Sequence, residues 1–121
     1  MPLLPGFDEM YKAYVKSALH YESDDEGRPL DRTYTVRSFT KEALDKMGRD
    51  CAVFLYNNAR FIHDQYAEAG RDFWLTRNHH GRGFWEDHWS DREGKALTKA
   101  AHEFGEQNVY AAGLKLHVFP S

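Results

Sequence analysis

Between Phe73 and Trp89 the chain reads FWLTRNHHGRGFWEDHW, and this stretch carries all three of its tryptophans and three of its seven histidines. Arg77, Asn78, His79, His80 and Arg82 are five hydrogen-bond donors within six positions, with no acid among them and aromatic residues on both sides. Arginine and histidine beside exposed tryptophan suit phosphates, stacked bases or the hot spot of a protein interface. Gly81 and Gly83 carry no Cβ, so backbone N–H groups there can approach a ligand closely. Arg77, Asn78, His79, His80, Arg82, Trp85 and Trp89 are therefore the candidate binding residues.

Two other chemistries compete for the same residues. His79, His80, Asp87 and His88 could hold a metal, or His80 and Asp87 could form an acid–base pair, in an enzyme acting on a nucleotide or nucleic acid. Their spacing matches none of the standard zinc or calcium signatures. The segment HHGRGF also lacks the lysine and Ser/Thr of a phosphate-binding P-loop. No metal and no cofactor is expected on these grounds. In the third reading the large rings pin a loop over the helices, Arg77 bridges to Asp72 or Asp87, and the segment is structural.

Elsewhere the chemistry is sparser. Cys51 is the single cysteine, which excludes an internal disulfide and a cysteine-based zinc site and fits a reducing cytosol. It falls within an apolar stripe, so a buried thiol is expected there rather than a nucleophile. Asp24, Asp25 and Glu26 form an acidic loop, and His63 with Asp64 reads as a solvated helix face. The net charge of -3 argues against a general electrostatic grip on nucleic acid, while leaving room for a local basic patch. No apolar run approaches the ~20 residues that span a bilayer, and MPLLPGFDEM lacks the marks of a signal peptide.

The elements that must position the segment follow from periodicity. A first helix is expected over 8–20, with Asp8 as its cap after Pro5 and Gly6. RTYTV, from Arg32 to Val36, reads as a short extended piece. The strongest pattern predicts one long helix over 40–69. Thr40 is its N-cap, Phe39 and Leu44 are a hydrophobic staple, and Gly70 follows the last turn. Leu44, Met47, Cys51, Phe54, Leu55, Phe61, Ile62 and Tyr66 form its stripe, which Asn58 interrupts. RDFWLTRNHH reads as a short helix and GRGFWEDHW as a loop. Ser90 and Glu93 have capping-box spacing before a third long helix over 90–105, which buries Leu97, Ala100, Ala101 and Phe104. The tail alternates around Ala111, Ala112 and Gly113 as a hairpin, with Leu114, Leu116 and Val118 on one face. The fold class is thus mainly α: three longer helices, one short helix and a small C-terminal β-hairpin, as a single domain over 1–121.

From Ala69 to Glu86, AGRDFWLTRNHHGRGFWE resembles a family of small bacteriophage and mobile-element proteins whose signature runs approximately AG-x-DFWLTRN-x-HG-x-GFWD. The matching positions run from Ala69 and Gly70 through Asp72–Asn78 to His80, Gly81, Gly83, Phe84 and Trp85. Glu86 stands in place of the family's final aspartate, and His79 stands where the family often has glycine. A looser likeness covers the loop from Ser23 to Tyr34 and the helix starting near Thr40. The resemblance implies a setting, the host cell cytoplasm, in which small accessory proteins bind and modulate host machinery, including antiviral defence. The resulting expectation is a non-enzymatic accessory protein that docks on a host protein or a nucleic acid through its Trp/Arg/His loop, with inhibition of host defence as one outcome. The alternatives are an enzyme using His79, His80 and Asp87, and a structural or assembly protein. The partner and the oligomeric state are not set by these residues.

Overall fold

A computed structural model describes residues 4–121; residues 1–3, part of the opening segment read as carrying no signal peptide, lie outside the described residues. Four helices are followed by a two-stranded antiparallel hairpin: α1 (Phe7–Tyr21), α2 (Lys41–Ile62), α3 (Tyr66–Arg77), α4 (Asp91–Glu103), β1 (Asn108–Ala112) and β2 (Lys115–Phe119). The fold is mainly α with a small C-terminal hairpin.

The single long helix expected over 40–69 is two helices. Thr40 caps α2 as expected, its hydroxyl accepting the Ala43 N–H at 3.0 Å. The stripe of Met47, Cys51, Phe54, Leu55 and Ile62 is fully buried. The helix stops at His63, which takes φ 58°, and a new helix begins at Tyr66. His63 and Asp64 are therefore the corner between two helices, not a solvated helix face. The corner is held from outside, because the His63 imidazole hydrogen-bonds the Glu93 carboxylate on α4.

Gly70 also differs from expectation. It sits inside α3, where that helix crosses α1, and a Cβ there would lie 2.1 Å from the Met10 carbonyl oxygen. The absent side chain lets the two backbones touch, and α1 and α3 make the most extensive helix pair of the fold. Asp8 does not cap α1. Gly6 occupies the N-cap position, and Asp8 in the first turn pairs with Lys12 at 3.0 Å. Between α1 and α2 the chain runs as turns, including short 3-10 turns at Leu30–Arg32 and Val36–Ser38, so the extended piece expected over 32–36 is absent.

Ser90 caps α4 by accepting the Glu93 N–H at 3.1 Å and donating to its carboxylate at 3.0 Å. In the hairpin, Leu116 and Val118 are buried, but Leu114 is 90% exposed. Leu114 lies in the two-residue turn with Gly113, both at positive φ, as a hairpin turn of this length demands. Two strands alone are marginal in water. Here the Thr40 N–H donates to the Leu116 carbonyl at 3.0 Å and ties the hairpin to the start of α2. One contiguous apolar cluster draws on all four helices and β2. Among the described residues no helix is long and apolar enough to cross a membrane.

Candidate functional site

The Phe73–Trp89 segment is not a uniform surface; it splits into anchors and outward groups. Phe73, Trp74, Arg77, Phe84 and Trp89 are buried, whereas His79, Arg82, Trp85 and Asp87 are exposed.

Arg77 is 2% exposed, which corrects its assignment as a partner contact. One guanidinium nitrogen donates to Asp50 at 2.8 Å and to the Tyr14 hydroxyl at 2.9 Å. Nε donates to the Gly105 carbonyl at 2.8 Å, and the remaining nitrogen reaches the Phe104 carbonyl at 3.3 Å. The arginine thus binds the C-terminal end of α4, where orphan carbonyls and the helix dipole favour a cation. Burial alone would lower its pKa; Tyr14 and Asp50 outweigh that and raise it. The same burial pushes the Tyr14 hydroxyl up, with Arg77 opposing. Asn78 is likewise turned inward, its side chain accepting the Gln107 N–H at 2.9 Å and donating to the Trp74 carbonyl at 3.1 Å.

Two carboxylates repeat one arrangement. Glu22 on the α1 side accepts the Trp74 indole N–H at 2.9 Å and pairs with the His80 imidazole through the same oxygen. Asp72 on α3, wholly buried, accepts the Trp89 indole N–H at 2.7 Å and the His88 imidazole at 2.7 Å on one oxygen. Its other oxygen accepts Arg71 at 2.8 Å. The expectation that Trp89 stands out as a free contact is therefore also corrected: it is 6% exposed, an anchor that reaches the surface only as lining of the groove described below. Gly83, at φ 153°, packs so closely on Thr76 that a Cβ would lie 2.0 Å from its hydroxyl oxygen. That hydroxyl accepts the Phe84 N–H at 3.3 Å, so Gly83 serves an internal contact rather than a ligand.

What remains outside is a groove of about 620 Å3 between the loop and α4. Phe84, Trp85 and Trp89 provide its aromatic side, and Lys95, Thr98, Lys99 and His102 come from α4. Phe84 and Trp89 meet edge to face at 5.3 Å beneath it. Trp85 stands at the rim, 53% exposed. Arg82, on the same loop, is exposed and lies 3.6 Å from Glu86, which also takes Arg71 at 3.2 Å.

Comparison with known proteins gives no match: no family model, no curated protein and no solved structure is similar to this chain at a significant level.

The sequence pattern omitted the α4 wall. Lys95, Lys99 and His102 recur at helical spacing, i, i+4 and i+7, and so share one face. That signal was present, but the apolar face of the same helix drew the reading. Conversely, the His79, His80 and Asp87 set is not assembled. His80 is engaged by Glu22, His79 stacks on His102 at 5.0 Å, and among the described residues no three His, Cys, Asp or Glu side chains come together as a metal-ligand group.

Proposed function

We propose that the chain is a small binding protein whose working surface is the groove between the Gly81–Trp89 loop and α4, and that it is an accessory protein of the bacteriophage kind it resembles. In the host cell it captures a host protein or nucleic acid, and blocking a defence component is the outcome that setting favours. The observation that carries this reading is Trp85. Its neighbours in the motif, Phe84 and Trp89, are 0% and 6% exposed, while Trp85 keeps 53% of its surface in water beside a concave site. An indole held in that way, across a groove from Lys95 and Lys99, is the type of anchor that dominates interface hot spots. His79, His80 and Arg82 are the exposed members of the donor cluster; His80 is tied to Glu22, and His79 borders the groove through its stack on His102. Arg77, Asn78, His80 and Trp89 contribute by fixing it.

The test is capture from host lysate with the tagged protein, comparing the wild type with a Trp85→Ala, Arg82→Ala double variant. Both side chains are exposed, so the variant keeps its fold by circular dichroism and loses the partner. Retention of every captured species by the double variant would remove the groove from consideration. An Arg77 variant is no substitute, because its loss of capture would report unfolding.

A further inference from the structure

The histidines of this protein are accounted for with two exceptions. His20, His63, His80 and His88 pair with Asp31, Glu93, Glu22 and Asp72, and His117 meets the Ala112 carbonyl. Among the described residues, the side chains of His79 and His102 make no hydrogen bond, and they stack on each other with ring centroids 5.0 Å apart and planes 25° from parallel. His102 lines the groove, one turn beyond Lys99. Lys99 has no ion-pair partner among the described residues, whereas Lys95 pairs with Asp91 at 3.2 Å.

His79 follows the C-cap of α3 and takes φ 56°, the left-handed turn that closes a helix: its N–H donates to the Thr76 carbonyl at 3.2 Å and the His80 N–H to the Leu75 carbonyl at 3.1 Å. Glycine is the residue this position favours, so the imidazole is placed there against the backbone preference. The other charged groups lining the groove are Lys95 with Asp91, and Glu103, all on α4.

The geometry points to a nucleoside monophosphate as the ligand of this groove: its base stacks on Trp85 over the Phe84–Trp89 floor, and its phosphate rests on His79, His102 and Lys99. Base–aromatic stacking and a phosphate-binding cluster are separately common, and here they lie in one concavity of about 620 Å3, within the ~300–1,000 Å3 range of small-ligand sites. A free nucleotide fits better than a strand. Lys95 is paired with Asp91, and the basic groups of this site unpaired among the described residues, Lys99, His102 and the stacked His79, fall within one helical turn of each other, while the chain's net charge of -3 supplies no track along which a polyanion would run. This inference rests on the groove being the working surface, and it adds a small-molecule occupant at one end of it.

The experiment is a tryptophan-fluorescence and calorimetric titration of the full chain with AMP at neutral pH and low salt. Adenosine, inorganic phosphate and a dT6 oligonucleotide are the comparison ligands. AMP saturates the site and changes the emission of the exposed indole. Adenosine binds about ten-fold more weakly, the loss of one charge-assisted contact set. His79→Gly is the decisive variant. It removes one imidazole and relieves the positive φ, so its melting temperature is unchanged or raised while AMP affinity falls about ten-fold. Lys99→Ala acts in the same direction. Equal binding of AMP and adenosine, or full AMP affinity in His79→Gly, overturns the phosphate subsite. Tighter binding of dT6 than of AMP overturns the choice of a free nucleotide. Lysate capture that persists while AMP fails to bind sinks this inference alone; loss of both leaves the groove itself without support.

Discussion

Replacing Arg77 by methionine tests the anchoring half of the motif apart from its exposed half. Methionine keeps most of the aliphatic volume that lies over Phe73 and Phe104, where the guanidinium carbon is 5.3 and 5.6 Å from the ring centroids. It removes every donor. The consequences at each former partner differ. Tyr14 retains Gln107 as acceptor at 3.1 Å. The carbonyls of Phe104 and Gly105 lie near the surface, where water can replace the lost donor. Asp50 is the expensive remainder: only 6% exposed, it keeps a single partner, Lys46 at 2.9 Å. Breaking a buried pair by removing one member costs about 3–5 kcal/mol, and the surviving Lys46 contact places this case near the lower end.

A loss of about 3 kcal/mol lowers the melting temperature of a domain this size by roughly 10–15 °C. Urea denaturation followed by circular dichroism gives the free energy directly. Asp50→Asn in the Arg77→Met background removes the stranded charge and recovers part of the loss, about 1–2 kcal/mol. The double-mutant cycle therefore has a coupling energy well above the additivity error of about 0.5 kcal/mol. If Arg77→Met costs under about 1 kcal/mol, or the two substitutions add, Arg77 is not a buried tie between α3, Asp50 and the end of α4.

Three further outcomes follow from the same coordinates. Gly70→Ala inserts a methyl group 2.1 Å from the Met10 carbonyl, against backbone that cannot swing away, and is expected to destabilise by about 2–3 kcal/mol in urea titration, although alanine is the better helix former. The Glu93 carboxyl is held below its ordinary value of 4.5 by the His63 imidazole and the Ser90 hydroxyl. A depressed carboxyl stabilises fully above that value and loses its contribution as pH falls through the folded-state pKa. The urea midpoint of the wild type should therefore fall more steeply than that of Glu93→Gln between about pH 5 and about pH 3. Burial pushes the Cys51 thiol well up, so Ellman's reagent leaves the folded protein unmodified and reacts fully once denaturant is added. Labelling of the native protein would show that α2 opens locally.

The elements were readable wherever a local signal and the tertiary packing agree. Thr40 and Ser90 announce α2 and α4 through their hydroxyls, and the Met47–Ile62 stripe announces the face that α2 buries. The break at His63 carries no such mark. Neither glycine nor proline stands there, the apolar spacing runs on through Tyr66, and only the reach of His63 to Glu93 on another helix shows why the chain turns. Gly70 looked like a terminus because glycine ends helices, yet here it serves the crossing with α1, which no one-dimensional pattern contains. The site divides in the same way. Its composition singles out the segment, but burial decides which donors are free, and burial depends on Glu22, Asp50 and Asp72, whose roles appear only in three dimensions.

The heavy internal bonding of the motif bears on how the groove works. A loop of turns and bends between Asn78 and Ser90 would ordinarily lose conformational freedom when a partner binds, at a cost of about 1–2 kcal/mol for each backbone residue ordered. Here that ordering is already present before binding. The Asp72 and Glu22 carboxylates each gather an indole and an imidazole, Gln65 donates to the His88 carbonyl at 2.9 Å, and Thr76 holds the Phe84 amide. On the proposed reading, Trp85, presented by this frame, would meet a ligand with only its own side-chain rotamers left to fix, which is the physical content of preorganisation. The buried residues of the motif would then raise affinity through the few exposed ones. A substitution such as Asp72→Asn should accordingly weaken partner capture without removing any contact to it, and hydrogen exchange of the 79–89 amides should accelerate in that variant while the amides of α2 stay protected. Capture that weakens with loop exchange unchanged would mean that Asp72 acts on the partner directly and that the frame is not what holds Trp85 in place.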